Sequence, residues 1–184
     1  MPTYVILLRA VNVGGTGKLP MASFRKLLEN LGHRNVETYI QSGNAVVDAA
    51  GTASSVCKAV ASALQVLTGA PAGVMVRTHD QLEAIVAGNP FAAEAAAEGA
   101  RVHVSFLAAV AASSATARLD RIVAQYPTRR DRYHLAGDTL YLHLPDGAAE
   151  TKFTPKAVER ALDGIAGTAR NWNTVLKLHA MSKR

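Results

Sequence analysis

Tyr4-Val5-Ile6-Leu7-Leu8 is apolar at every position and is closed at once by Arg9. Side chains alternate along a strand, so Tyr4, Ile6 and Leu8 fall on one face and Val5 and Leu7 on the other. A strand apolar on both faces is one that must be covered on both sides. The run is far short of a membrane span, and no basic segment precedes it as in a secretory signal. It therefore reads as the first, central strand of a buried sheet.

Working outward, a glycine-bearing loop leads to Pro20, placed near a helix start where its missing N–H does no harm. Phe24, Leu27, Leu28 and Leu31 recur at helical spacing, and Gly32 closes that helix. Residues 36–41 alternate as a strand, Ser42-Gly43 makes a tight turn, and residues 45–48 return as a second strand. Val56, Val60, Leu64 and Leu67 form one helical stripe, Gly69-Ala70-Pro71 stops it, and residues 74–77 make a fourth strand.

The order then repeats. Val102, Val104 and Phe106 alternate as a strand, and Leu119, Ile122, Val123 and Tyr126 mark a helix stopped by Pro127. Residues 132–135 and 139–144 flank Ala136-Gly137-Asp138 as a hairpin. Thr154 caps a helix that opens on Pro155, carries Val158, Leu162 and Ile165, and ends at Gly167. Residues 168–170 make a short last strand, and a helix from about Thr174 completes the chain. Two successive βαββαβ units predict an α+β protein of two ferredoxin-like plaits. They occupy residues 1–78 and 101–184, joined by a helical connector over residues 79–100. Helices cover one face of each sheet. The other face then packs against the second half, or against another subunit in a homo-oligomer.

With 184 residues, 49% hydrophobic and 18% charged, the chain can bury a core, which excludes wholesale disorder. A lone Cys57 excludes an intrachain disulfide and any zinc-ligand spacing, and makes the reducing cytoplasm the simplest compartment. Charge is uneven. Residues 1–78 hold seven Lys or Arg against three acids, residues 79–100 hold four acids and no base, and the remainder thirteen bases against seven acids. Two basic halves flank an acidic connector, a balance compatible with an anionic ligand or nucleic acid.

Three polar islands interrupt the apolar pattern: Asn12-Val13-Gly14-Gly15, Gln41-Ser42-Gly43-Asn44 and Arg170-Asn171-Trp172-Asn173-Thr174. None contains an acid, a histidine or a cysteine. Their amides, hydroxyls and guanidinium can position a ligand or satisfy backbone, but they do not transfer protons unaided. The first is no phosphate loop of the Walker type, because Gly17-Lys18 is followed by Leu19 and the upstream glycine position is Asn12. It remains a glycine loop able to present backbone N–H groups to an anion, or a plain strand–helix connection. The second is a turn or a set of ligand donors. The third is a capped helix start with Trp172 in the core, or an aromatic wall beside donors.

Elsewhere chemistry is sparse. Six histidines are scattered without a ligand pattern, His134 and His143 being the pair that could face each other across the second hairpin. No G-x-S-x-G elbow surrounds a serine, and no acid–base pair of carboxylates stands out. Neither a metal nor a cofactor is expected. The strands that would stack bases in an RNA-recognition plait lack its aromatic signature, Tyr141 being the nearest candidate. Arg129, Arg130 and Arg132 form a basic cluster of the kind usual on solvated surfaces.

Leu7-Leu8-Arg9-Ala10-Val11-Asn12-Val13-Gly14-Gly15 resembles the opening signature of the bacterial domain-of-unknown-function 1697 family. So do Pro20-Met21, Tyr39-Ile40-Gln41-Ser42-Gly43-Asn44, Asn89-Pro90-Phe91, and Thr168 with Arg170-Asn171-Trp172-Asn173-Thr174. The match runs in order along almost the whole chain, departing mildly at Ala10-Val11, where glycine and isoleucine are frequent. The resemblance implies two ferredoxin-like subdomains in a soluble bacterial protein and names no reaction, cofactor or catalytic residue. The expectation is a site for a small anionic or polar ligand in a cleft between the plaits. Arg9, Arg170 and Lys18 would bind charge there, while Asn12, Gln41, Ser42, Asn44, Asn171 and Asn173 orient. Gly14 and Gly15 would offer backbone and Trp172 a wall. The alternatives are an interaction module in which these motifs are structural and, third, weak nucleic-acid binding.

Overall fold

A computed structural model describes residues 1–12, 18–126 and 130–184. Contacts gather them into two units, Met1–Val86 with Lys177–Arg184, and Ala87–Leu176. The first contains β1 (Thr3–Arg9), α1 (Met21–Asn30), β2 (Arg34–Tyr39), β3 (Asn44–Asp48), α2 (Ala53–Thr68), β4 (Gly73–Thr78) and nearly all of α3 (His79–Ala87). The second contains α4 (Ala92–Ala97), a 3-10 turn (Gly99–Arg101), β5 (Val102–Leu107), α5 (Ala115–Gln125), β6 (Arg132–Ala136), β7 (Thr139–His143), α6 (Pro155–Ala161) and β8 (Gly167–Asn171). The last helix, α7 (Trp172–Ser182), contributes its first residues to the second unit and the rest to the first. The protein is thus mixed α+β, with two four-stranded sheets ordered β2-β3-β1-β4 and β6-β7-β5-β8, all neighbours antiparallel.

In the first unit Tyr4, Ile6 and Leu8 pack with Phe24, Leu27 and Leu28 of α1 and Val56, Val60 and Leu64 of α2. The opposite face, Val5, Leu7, Val46 and Met75, is no more than 2% exposed. β1 is therefore buried on both sides, as its unbroken apolar run requires. In the second unit Leu107, Leu140 and Leu142 pack with Leu119 of α5 and with Val158 and Ala161 of α6. Val102, Val104, Phe106 and Tyr141 are buried too and lie outside that cluster.

Local chemistry explains the boundaries. Thr52 caps α2 in a reciprocal box with Ser55, and Gly69 ends it in the left-handed region at φ 75°. Thr154 accepts the Ala157 N–H and Pro155 occupies the first turn of α6, as the sequence predicts. Gly137-Asp138 forms the second hairpin's two-residue loop, with Ala136 opposite Thr139. The expected stop of α5 at Pro127 lies outside the described residues, as does Arg129.

Some expectations are corrected. Leu67 is 52% exposed, because the buried stripe of α2 ends at Leu64 and its last turn borders an open groove. α6 ends at Ala161 rather than Gly167, since Asp163 at φ 55° and Gly164 at φ 85° turn the chain, and Gly167 starts β8 instead. α7 starts at Trp172, two residues early. β2 stops at Tyr39 because Ile40 takes a left-handed conformation at φ 47°.

Burial on both faces predicts that Leu7→Ala costs about 3 kcal/mol, as for a core leucine. Val66→Ala, on an 87% exposed side chain of α2, stays within about 0.5 kcal/mol. Urea unfolding of both variants checks this; a Leu7 variant no costlier than the Val66 one contradicts it.

Candidate functional site

The first two islands meet at one end of the first sheet. Beyond β1 the backbone turns through Ala10 at φ 56° and Asn12 at φ 57°. The Asn12 carboxamide then does the work of a backbone partner. Its nitrogen donates to the Leu19 carbonyl (2.9 Å) and to the Gln41 carbonyl (2.7 Å), while its oxygen accepts the Leu19 N–H (2.8 Å). One side chain closes the loop between residues 12 and 19 and ties it to the turn that follows β2. Residues 13–17, with Gly14 and Gly15 among them, lie outside the described part.

In that turn the Gly43 carbonyl accepts the Leu8 N–H at 2.8 Å, at φ 76°. A Cβ on Gly43 would stand 2.6 Å from Val11 Cγ2 and 2.7 Å from Leu8 Cβ. Asn44 is fully buried, and its amide donates to the Tyr39 carbonyl (3.1 Å) and Ser42 Oγ (2.9 Å). The Asn12 and Asn44 amides are thus committed to the frame. Lys18 and Gln41 are exposed around it, with Arg9 and Ser42 half-buried.

The third island belongs to the second unit. Arg170, on β8 opposite Val104, is buried. Burial pushes its guanidinium down to about 10, and it donates to Thr168 Oγ1 and the Ala169 carbonyl, each at 2.8 Å. Asn171 caps α7, its side-chain oxygen accepting the Thr174 N–H at 3.0 Å. Trp172 is buried, and the exposed Asn173 places its carboxamide where a Cβ on Gly99 would stand. Capping and close packing account for most of this island.

The remaining candidates resolve individually. Cys57 Sγ donates to the Val74 carbonyl at 3.1 Å, and burial raises its pKa, which suits an inert thiol. His134 and His143 do not pair; the register sets His134 opposite Tyr141 and His143 opposite Arg132. Tyr141 is 3% exposed, so it offers no stacking surface to a base. In the first unit His79 stacks on His179 at 5.1 Å and meets Ser182 Oγ through Nδ1 at 2.9 Å, docking the chain's end onto α3. Burial and the neighbouring His79 hold the His179 pKa below the ordinary range.

Two concavities in the second unit escape a motif reading. An open groove of about 630 Å³ between α5 and α6 is lined by Arg118, Arg121 and Arg160 over Ile122 and Ala157. Arg118 is held by the Ala161 carbonyl and Asp163; Arg121 and Arg160 enter no ion pair with a described residue. A more enclosed cavity of about 300 Å³ holds His103 and Ser105 of β5. Its signal in the sequence is the pair of polar residues alternating with Val102, Val104 and Phe106.

Two four-stranded antiparallel sheets with loops clamped by side-chain amides define a mixed α+β protein. Residues 1–141 match the family described as protein of unknown function (DUF1697), and the chain belongs to that family. It is also similar to the solved structure of a conserved bacterial protein, SP0830 from Streptococcus pneumoniae. The two are 22% identical, with a TM-score of 0.69 over 99% of each chain, a likeness of fold. No curated protein matches. Among the described residues no helix is long and apolar enough to cross a membrane.

Gly43 and Gly69 share nearly the same φ, 76° and 75°, yet only Gly43 has atoms within reach of a new Cβ. Gly69→Ala should cost about 1 kcal/mol for left-handed backbone alone. Gly43→Ala should cost a further ~1–3 kcal/mol for the collision with Leu8 and Val11. Chemical denaturation of the pair measures the difference; equal losses would mean that the turn and β1 do not pack as described.

Proposed function

We propose that the chain binds a small anionic or polar molecule at the paired loops of its first unit, and that each unit is a ferredoxin-like plait. The strand order β2-β3-β1-β4, repeated as β6-β7-β5-β8, supports the plait reading. The observation that carries the site is the Asn12 clamp holding three left-handed non-glycine residues, Ala10, Asn12 and Ile40, in two adjoining loops. Such backbone costs roughly 1–2 kcal/mol per residue and persists where surrounding structure enforces it, commonly at ligand sites. The charge is one-sided as well. Residues 1–28 contain no acid, and Arg9 and Lys18 flank the clamp, with Gln41 and Ser42 as further polar groups. No general acid or base stands among them, so the action is recognition by position and charge. A lone half-buried cysteine suits a cytoplasmic setting.

A second reading, an interaction module with structural islands, is favoured by the groove between α1 and α2. There Val66 and Leu67, 87% and 52% exposed, stand beside Leu27, Leu31 and Ala63.

Calorimetric titration and thermal shift with phosphate, pyrophosphate, a nucleoside monophosphate and a dicarboxylate test the anion site. At least one should bind saturably and weaken with salt. Arg9→Ala or Lys18→Ala should lower affinity about tenfold, as for a lost charge-assisted bond, while Arg121→Ala should not. Loss on Arg121→Ala with Arg9→Ala and Lys18→Ala unaffected, or no stabilisation by any anion, refutes the site.

A further inference from the structure

Once the chain's own ion pairs are formed, two helical surfaces of opposite charge remain. Residues 79–100 carry four acids, Asp80, Glu83, Glu94 and Glu98, and no base. Glu94 is taken by Arg132, and Glu98 by Arg101 at 2.9 Å. Asp80 enters no ion pair with a described residue, and the one ionic neighbour of Glu83 among them is His79, at 3.9 Å. Both acids stand on α3, whose buried side is Leu82 and Ile85. Its exposed side runs Asp80, Glu83, Ala84 and Ala87, a helical repeat that sets all four in one stripe.

The complementary surface is the groove between α5 and α6. Of the arginines described in the second unit, Arg101, Arg118, Arg130 and Arg132 hold acids and Arg170 is buried. Arg121 and Arg160 are exposed and have no acid among the described residues. They stand on the two walls of the groove, over Ile122, Ala157 and Ala161. Asp120, next to Arg121 in sequence, is occupied in accepting the Tyr133 hydroxyl at 2.5 Å. Arg118 donates across to the Ala161 carbonyl at 2.6 Å, so the walls are tied together before anything docks.

A small anion would engage the guanidinium groups and leave the apolar floor in water. A helix with acids and alanines on one stripe covers both, since a groove between two helices accepts the side-chain ridge of a third. We infer that α3 of a second copy of this chain docks in the α5–α6 groove. Asp80 and Glu83 then face Arg121 and Arg160, and Ala84 and Ala87 lie over Ile122 and Ala157. The net charge of +6 opposes the approach of two copies, which makes the contact weak and reversible. The inference rests neither on the anion site nor on the α1–α2 groove.

Sedimentation equilibrium of the whole protein up to about 1 mM, where a contact of millimolar strength is half formed, should show a mean mass that rises with concentration. Arg121→Glu and Glu83→Arg, both at exposed positions, should each weaken self-association about tenfold, because like charges then face each other. Arg160→Glu repeats the test from the other wall. Mixing the Arg121→Glu and Glu83→Arg chains should restore association. The acidic helix of the first then meets an intact groove, and the reversed charges of the second match the reversed groove. In the isotopically labelled protein the Ile122 and Ala157 amides should shift on adding unlabelled protein. A mean mass of one chain throughout, association unchanged by the charge reversals, or no recovery on mixing would overturn the assignment. So would Ile122 and Ala157 amides that shift with single-stranded DNA and not with unlabelled protein.

Discussion

Burial of the two central strands on both faces is the constraint on which the remaining structure depends. β1 spends Tyr4, Val5, Ile6, Leu7 and Leu8 entirely on packing, each aliphatic side chain contributing about 1.5–3 kcal/mol on leaving water. Such a strand cannot also present polar chemistry. In the first unit that chemistry is displaced to the strand ends, where the chain reverses and backbone groups lose their ladder partners. β5 obeys the same rule with one interruption, His103 and Ser105, and the enclosed cavity lies where that interruption falls.

At the displaced positions side-chain amides stand in for absent backbone partners. Asn12 closes a loop, Asn44 braces a turn and Asn171 caps a helix. Because each bonds to main chain, replacing it with a residue of another shape would leave a carbonyl or an N–H without that partner. These asparagines therefore shape the loops, and the cationic side chains of Arg9 and Lys18 lie beside that frame in the sequence. That arrangement sets the paired loops of the first unit apart from the arginine groove on α5 and α6, which has charge without a comparable frame.

The order of elements was legible because its signals are local. An unbroken apolar strand, Thr154 before Pro155, and Gly137-Asp138 between two alternating runs each dictate backbone geometry directly. The misses share a different origin. Nothing local announces that Ile40, a β-branched residue, will adopt a left-handed conformation; the loop it adjoins enforces it. Helical periodicity counts Leu67 with Leu64 but is blind to the open groove beside the last turn of α2. The register across β6 and β7, which separates His134 from His143, follows from the length of the hairpin loop. The polar pair on β5 was visible as residue types, but its enclosure depends on the path of residues 144–154, to which periodicity gives no guide.

Amide shift mapping of the isotopically labelled protein, titrated with pyrophosphate at low salt, tests most directly whether polar recognition has been moved to the strand ends. Saturating shifts at Arg9, Asn12, Lys18, Gln41 and Ser42, with the interiors of β1 and β3 unmoved, are the expected result. Shifts confined to the groove of Arg118, Arg121 and Arg160 would contradict it.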